Sequence, residues 1–320
     1  MGDPGESRLA YPFEADRGQW EEVSRIGEGA YGTVMRGVDR RDPGRVVAIK
    51  KTRITLSEEG IPQSVLREIG ILRQFEKFDH PNLVKLLDVC HGLMPNVRGD
   101  LYLWLIFEFC EYDLATYIQR FPDALVESRI RSIMRQLLCG VEYLHSHACV
   151  HRDIKPQNIL LNSSCQVKLT DFGLARLYNF QTSITTVVVT LWYRPPEILL
   201  RCSYTSAVDL WSLGCIFAEL YLKRPLFEGY TELEQLSKIF ERLGLISAAL
   251  WPLDSPVLRS TFPDHPPQDL RHILPPVVSH SALDLLRGLL CMNPAARLEA
   301  AEAIQHSFFS CGDDAAGDPA

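Results

Sequence analysis

The pattern of apolar residues changes character near Phe109, and this change limits the folds open to the chain more than any other feature. Before it, runs rich in β-branched and aromatic residues recur at Ile26, Val34, Val46 to Ile49, Leu86 to Val89 and Leu101 to Phe107, and they predict strands. One stretch interrupts them: Val65, Ile69 and Leu72 stand at helical spacing over 62–75, with Pro62 suited to a first turn. After Phe109 the spacing becomes helical. Ile130, Ile133, Leu137, Val141 and Leu144 trace one apolar face, and 209–222 is apolar almost all round, as in a helix buried inside a lobe. Seven prolines between Pro252 and Pro276 mark an irregular excursion rather than a linker. The expected fold is therefore α+β, a β-rich N-terminal lobe over 19–109 with one helix, then a hinge near Glu108 to Tyr112 and a mostly α-helical C-terminal lobe over 110–309. Residues 1–18, rich in Gly, Pro and charge, and the small acidic stretch 310–320 are expected to be disordered.

Composition narrows the function classes. The 320 residues are 46% apolar and 23% charged, enough for two lobes with real cores. No run approaches ~18 consecutive apolar residues, so no membrane-spanning helix is expected. The start, Met-Gly-Asp-Pro-Gly-Glu, predicts neither a secretory signal nor an N-myristoyl anchor. Nine scattered cysteines form no Cys-x-x-Cys pair, so neither disulfides nor a metal site is expected; Cys90, Cys139 and Cys215 read as small core residues. A reducing compartment, nucleus and cytoplasm, follows. The net charge is −7, and 241–320 supplies most of it, with five Arg against ten Asp and Glu. No basic stripe marks a nucleic-acid surface, whereas an acidic surface suits a basic peptide.

Two constellations carry chemistry. Gly27-Glu28-Gly29-Ala30-Tyr31-Gly32-Thr33-Val34 is a G-x-G-x-x-G followed by Val. Its glycines let backbone amides approach phosphates closely. The same spacing occurs in dinucleotide folds, where a helix follows directly, and in ordinary turns. Here strand-like 33–38 and then Val46-Val47-Ala48-Ile49-Lys50 follow, which favours a phosphate-covering hairpin. Lys50 ends an apolar strand, with its ammonium available to phosphates, and Glu68 on the next helix is its expected carboxylate partner. The second constellation runs from His151 to Arg176, His-Arg-Asp-Ile-Lys-Pro-Gln-Asn and then Asp-Phe-Gly-Leu-Ala-Arg. Apolar runs at Ile159 to Leu161 and Val167 to Leu169 read as paired short strands whose ends bring Asp153, Lys155, Asn158 and Asp171 to one spot. Asp153 would orient a substrate hydroxyl, Lys155 would offset charge on a moving phosphoryl group, and Asn158 and Asp171 offer hard oxygens to Mg²⁺ bound with phosphates and water. Taken singly, each of these residues also fits a turn, a cap or a solvated surface.

With these motifs, residues 20–310, about nine-tenths of the chain, resemble a eukaryotic protein kinase of the cyclin-dependent family, most of all its cyclin-D-dependent members. Gly-Glu-Gly-Ala-Tyr-Gly, Pro62-Gln63-Ser64-Val65-Leu66-Arg67-Glu68 and Val187-Val188-Val189-Thr190-Leu191-Trp192-Tyr193-Arg194 carry the resemblance. It implies a kinase domain over 19–309 that uses ATP and Mg²⁺. Phe107 and Glu108 match a gatekeeper and hinge, with Glu108 and Cys110 offering backbone groups to adenine, Ile26, Val34, Ala48 and Leu160 sandwiching the ring, and Asp113 just beyond the hinge. Lys155 together with Thr190 is similar to the Ser/Thr pattern rather than the Tyr pattern. The resemblance also implies that Arg194 holds a strained backbone at Val189, whose carbonyl turns away from the peptide. Proline, which has no N–H to leave unpaired, is then preferred after the phosphorylated residue.

Regulation follows from the same resemblance. Thr185 matches a phosphorylated activation-segment position, with Arg67, Arg152 and Arg176 placed to converge on its phosphate; Tyr31 matches an inhibitory phosphotyrosine. The helix that starts Pro-Gln-Ser-Val faces the cyclin, a D-type cyclin by resemblance, although relatives start it Pro-Leu-Ser-Thr or Pro-Ile-Ser-Thr. The hinge reads Phe109-Cys110 rather than His-Val. Pro195-Pro196-Glu197 replaces Ala-Pro-Glu, and Glu197 is still expected to pair with Arg297. Val38 stands where relatives carry an arginine that contacts ankyrin-type inhibitors, so that partner is left open. The expected activity is a cyclin-activated, proline-directed Ser/Thr kinase of cell-cycle (G1/S) control, with no nucleic acid or membrane as partner. The alternative is a cyclin-binding scaffold without phosphoryl transfer, against which Lys50, Asp153 and Asp171 all stand.

Overall fold

The computed structural model describes residues 19–29, 32–54, 70, 80–93, 101–120, 125–171, 176–177 and 191–310. The chain divides into two compact units, Met1–Asp79 with Val84–Glu111, and His80–Leu83 with Tyr112–Ala320. The helix expected over 62–75 and both expected disordered ends, apart from Gln19, Gly70 and Ser310 beside or within them, lie outside the described residues.

The first unit is a five-stranded antiparallel sheet of β1 (Trp20–Gly29), β2 (Gly32–Asp39), β3 (Val46–Ile54), β4 (Leu86–Leu93) and β5 (Leu101–Glu108), in the order β1-β2-β3-β5-β4. All five correspond to the apolar runs of the sequence. Alternation along β3 sorts its side chains: Val47 and Ile49 are buried, whereas Val46, Ala48 and Lys50 are half-buried on the opposite face. Val47 and Ile49 pack with Cys90, Trp104 and Ile106, while Leu86, Leu103 and Leu105 form a cluster of their own. Gly37 in β2 must be glycine: a Cβ there would lie 2.5 Å from Ile49 Cδ1 and 2.9 Å from the Glu21 carbonyl oxygen.

The second unit is helical: α1 (Leu114–Arg120), α2 (Glu127–Ser146), α3 (Pro196–Leu199), α4 (Ala207–Leu222), α5 (Glu232–Leu243), α6 (Leu270–Ile273), α7 (His280–Leu289), α8 (Ala300–Ile304) and α9 (Ser307–Ser310). The predicted apolar face of α2, from Ile130 to Leu144, is buried. Helix α4 is buried along Val208 to Tyr221, as its all-round apolar sequence requires. Gly214 lets α4 approach the end of α7, since a Cβ would meet Leu290 Cδ2 at 2.8 Å. Of the predicted core cysteines, Cys90 and Cys215 are buried and Cys139 is half-buried. The proline-rich excursion packs on α5, with Phe262 4.9 Å edge-on from Phe240. Residues 80–83 precede β4 in sequence yet belong to this unit, because Asn82 Nδ2 donates to the Val167 carbonyl and to Gln136 Oε1, at 2.9 and 3.2 Å. The fold is the expected α+β one, a β-rich N-terminal lobe and a helical C-terminal lobe.

Short strands in the second unit position the loop that follows. β7 (Cys149–Val150) leads into 151–155, then a 3₁₀ turn at Pro156–Asn158, β8 (Ile159–Leu161), and β9 (Val167–Leu169). β8 and β9 pair antiparallel, Ile159 with Leu169 and Leu161 with Val167, as the two apolar runs predict. β6 (Tyr112–Asp113) pairs with β8, and β10 (Arg176–Leu177) with β7.

Candidate active site

The loop from His151 to Asn158 is built around a carboxylate from elsewhere. Asp209, in the first turn of α4 and fully buried, accepts the His151 amide on Oδ2 at 2.9 Å and the Arg152 amide on Oδ1 at 2.8 Å. His145 Nε2 lies 2.9 Å from Oδ2. Burial pushes the Asp209 carboxyl up, but the His145 hydrogen bond and charge, the His151 ring and the Arg152 amide outweigh it and hold the group below the ordinary carboxylate value. This clamp fixes Arg152 in the left-handed region, φ 68°, a conformation that costs a non-glycine residue ~1–3 kcal/mol. Asp171 is held there as well, φ 65°. The His151 ring supports the turn from inside: its Nε2 donates to the Thr170 carbonyl at 3.0 Å and its Nδ1 accepts the Asp153 amide at 3.3 Å.

Three of the predicted residues meet directly. Asp153 Oδ2 accepts Lys155 Nζ at 2.8 Å and Asn158 Nδ2 at 2.9 Å, and the same Nδ2 donates to the Asp153 carbonyl at 2.8 Å. One carboxylate oxygen is thus occupied, and among the described residues Oδ1 has no hydrogen-bond partner. Asn158, holding Asp153 through its nitrogen, keeps its amide oxygen for another ligand. Asp171 is brought next to Asn158 by the Thr170 amide, which donates to the Asn158 carbonyl at 3.0 Å. Two hard oxygens, one amide and one carboxylate, suit a divalent cation that completes its shell with phosphate and water; no group of three metal-binding side chains occurs among the described residues.

Arg194 lines a cavity of about 20 Å³ with Asp153, Lys155 and Tyr193. Burial lowers its affinity for the proton, while Glu232, 4.0 Å from Nη1, and Asp153 oppose that effect. The expected Glu197–Arg297 pair forms as a buried two-pronged bridge of 2.7 and 3.1 Å. Asp113 pairs with Leu160 across β6 and β8, and its carboxylate caps α1, accepting the Thr116 amide and hydroxyl at 2.8 Å each.

In the first unit the glycine-rich motif is a hairpin. Gly27 pairs with Val34, Glu28 with Thr33 and Gly29 with Gly32, so a strand follows and the dinucleotide reading is excluded. Lys50 sits opposite Val34 and Leu105, and Ala48 opposite Arg36 and Phe107, which puts Val34, Ala48, Lys50 and Phe107 on one face. Ile26 is 47% exposed. Glu108 is tied to β4's approach, its amide donating to the Lys85 carbonyl at 3.0 Å and its Oε1 accepting the Lys85 amide at 2.7 Å. Cys110 is half-buried, and Val38 pairs with Glu21 and Val46. Of the remaining predicted residues, Ala30, Tyr31, Arg67, Glu68, Thr185, Val189 and Thr190 lie outside the described residues, and Arg176 is described by its backbone alone.

Three contributors escaped the sequence reading: Asp209, its neighbour His145, and Tyr204, whose hydroxyl accepts Arg152 Nη1 at 2.7 Å. Asp209 had a signal, a lone carboxylate at the head of an apolar run. Tyr204 had none.

The protein kinase domain profile matches residues 20–309. The chain is 45% identical over 295 residues to cyclin-dependent kinase 4 of Xenopus laevis, covering 92% of this chain and 91% of that one. It is 43% identical over 296 residues to cyclin-dependent kinase 4 of Rattus norvegicus, covering 91% and 96%. It is 42% identical over 283 residues to the cyclin-dependent kinase 4 homolog of Caenorhabditis elegans, covering 88% and 69%.

Proposed function

We propose that this chain, which belongs to the protein kinase family and within it to the cyclin-dependent kinases, is a cyclin-activated enzyme that transfers the ATP γ-phosphate to Ser or Thr followed by Pro. A protein kinase is a phosphotransferase that uses ATP and a divalent metal. The observation that carries phosphoryl transfer is the division of labour at Asp153: Oδ2 is held by Lys155 and Asn158, and among the described residues Oδ1 has no hydrogen-bond partner. Oδ1 accepts the hydrogen bond of the substrate hydroxyl and orients its oxygen toward the γ-phosphorus. Lys155 Nζ, already 2.8 Å from the carboxylate, lies close enough to offset charge on the transferred group. Asn158 and Asp171 would hold Mg²⁺, which when bound offsets negative charge on the phosphates. Lys50, fixed on its strand opposite Val34 and Leu105, binds the α- and β-phosphates once Glu68 pairs with it.

The finer specificity rests on the residues that the family resemblance marks. Lys155 two places after Asp153, with Thr190, supports Ser and Thr as acceptors; Val189 and Arg194 support proline after them. The names of the relatives and the Pro62 to Glu68 segment support a cyclin partner, D-type by resemblance, and a role at G1/S in nucleus and cytoplasm. Val38 offers no cation to ankyrin-type inhibitors, so we expect weaker binding of these than an arginine there would give. The test incubates the chain with a D-type cyclin, Mg-ATP and a pair of peptides differing only as Ser-Pro against Ser-Ala. The Ser-Pro peptide is expected to be phosphorylated at least about 10-fold faster, and Asp153→Asn to cut the rate by about 100-fold or more. Equal rates on the two peptides would remove the proline reading. An Asp153→Asn variant as active as wild type would remove Asp153 from the chemistry, and a wild type that phosphorylates neither peptide would leave only the scaffold.

A further inference from the structure

Helix α4 holds the 3₁₀ turn Leu191–Tyr193 with two side chains, Ser212 and Glu219, which stand about two turns apart and so on one face. Tyr193 Oη donates to Glu219 Oε2 at 2.7 Å, and Ser212 Oγ donates to the Tyr193 carbonyl at 2.8 Å. A further tie comes from the stretch after α4, where the Gly229 carbonyl accepts Trp192 Nε1 at 3.1 Å. The chain leaves this turn directly into Arg194 and Pro195, which line the cavity shared with Asp153 and Lys155. Of the acceptors that hold the turn, only Glu219 is ionisable. Tyr193 faces it from the turn, Glu228 from the stretch after α4, and Cys215 from one turn earlier on α4 itself. Arg297, which acts on Cys215, is bridged to Glu197. Burial pushes the Glu219 carboxyl up, the Tyr193 bond opposes this, Glu228 adds to it, and the balance stands at about 7. Burial and Glu219 push the Tyr193 phenol up as well, so it keeps its proton and stays the donor.

We propose that Glu219 is a positioning residue for the acceptor peptide, acting through Tyr193: its carboxylate form grips the turn before Arg194, and its protonated form slackens it. This rests on the reading that the acceptor peptide docks beside Arg194. A hydrogen bond to an ionised acceptor is roughly twice as strong as one between neutral groups. Loss of the Glu219 proton therefore tightens the turn. The cavity wall made by Arg194 and Pro195 is then fixed before the peptide arrives, which lowers the ordering cost of binding. Peptide affinity should accordingly rise with pH across neutrality, while the Ser212 and Gly229 ties, which carry no ionisable acceptor, stay as they are.

The experiment uses the full chain with a D-type cyclin, saturating Mg-ATP and an N-acetylated Ser-Pro peptide free of histidine and acidic residues. It reads KM and kcat for the peptide on either side of the Glu219 titration, at about pH 6 and about pH 8. Wild type is expected to show a KM about 5-fold lower at the higher pH, the difference between a neutral and a charge-assisted bond. Glu219→Gln removes the ionisable acceptor and Tyr193→Phe removes the donor, and both keep the size of the side chain. Each is expected to bring the KM ratio to about 1, with Glu219→Gln held near the wild-type value at the lower pH. A merely structural pair would scale kcat with the folded fraction and leave the KM ratio as in wild type, which overturns the proposal. A wild-type KM that ignores pH overturns it as well. Arg194→Ala tests the docking: an unchanged KM there removes the docking reading and this proposal with it. A raised KM in Arg194→Ala, with a wild-type pH ratio that survives both other variants, sinks the Glu219 role alone.

Discussion

At the scale of single residues, the loop from His151 to Asn158 is held by a residue outside it, Asp209. Two backbone amides and the His145 ring converge on one buried carboxylate. In Asp209→Asn the amide nitrogen must face one of those donors, leaving a buried N–H unpaired. We expect a loss of about 3–5 kcal/mol in urea unfolding, together with a fall in kcat. The sign with pH follows from the lowered carboxyl. Its contribution is complete above the unfolded value of 3.8 and is lost as acid takes the pH down through the lower folded value. Asp153, Lys155 and Asn158 were legible because they bond within five residues of one another, so their spacing encodes their geometry. Asp209 reaches His151 across 58 residues, and no local spacing records such a contact.

At the scale of elements, α4 carries an ionisable group near each end, and they shift in opposite directions. Glu219, near the C-terminal end, is pushed up to about 7, mainly by burial and further by Glu228, against the opposing bond from the Tyr193 hydroxyl at 2.7 Å. An acid with a raised folded value binds its proton more tightly when folded. Its penalty is absent below the unfolded value of 4.5, grows as the pH rises to about 7, and is constant beyond. Glu219→Gln, whose amide oxygen still accepts from Tyr193, should therefore stabilise the protein at pH 8 by about 1–3 kcal/mol. The gain should vanish near pH 4, and thermal melts at the two pH values check it. The strands of the first unit and the pairing of β8 with β9 were legible because period-two alternation survives in short runs. The capture of 80–83 by the helical unit was not, since it depends on Asn82 finding Gln136 and Val167 in space.

At the scale of the whole molecule, the α+β class and the change of pattern near Phe109 were readable from periodicity alone, whereas the Glu197–Arg297 tie that closes the helical unit was readable only through the family resemblance. Glu197 and Arg297, 100 residues apart, form a buried ion pair, and Arg297 also donates to the Cys291 and Ala207 carbonyls at 3.0 and 2.8 Å and stacks 5.1 Å from Trp211. Glu197→Ala strands a buried guanidinium and should cost about 3–5 kcal/mol. Adding Arg297→Met should restore part of that loss, because no charge is then left unpaired; urea midpoints of the two variants decide it. The Asp209 clamp has a consequence for how such losses show themselves. Since the reactive loop takes its shape from a residue at the head of α4 and a histidine on α2, it cannot assemble until those helices have docked. A chain with a loosened helical unit has no working remnant, so phosphoryl-transfer activity reports directly on the fraction of molecules whose helices are home.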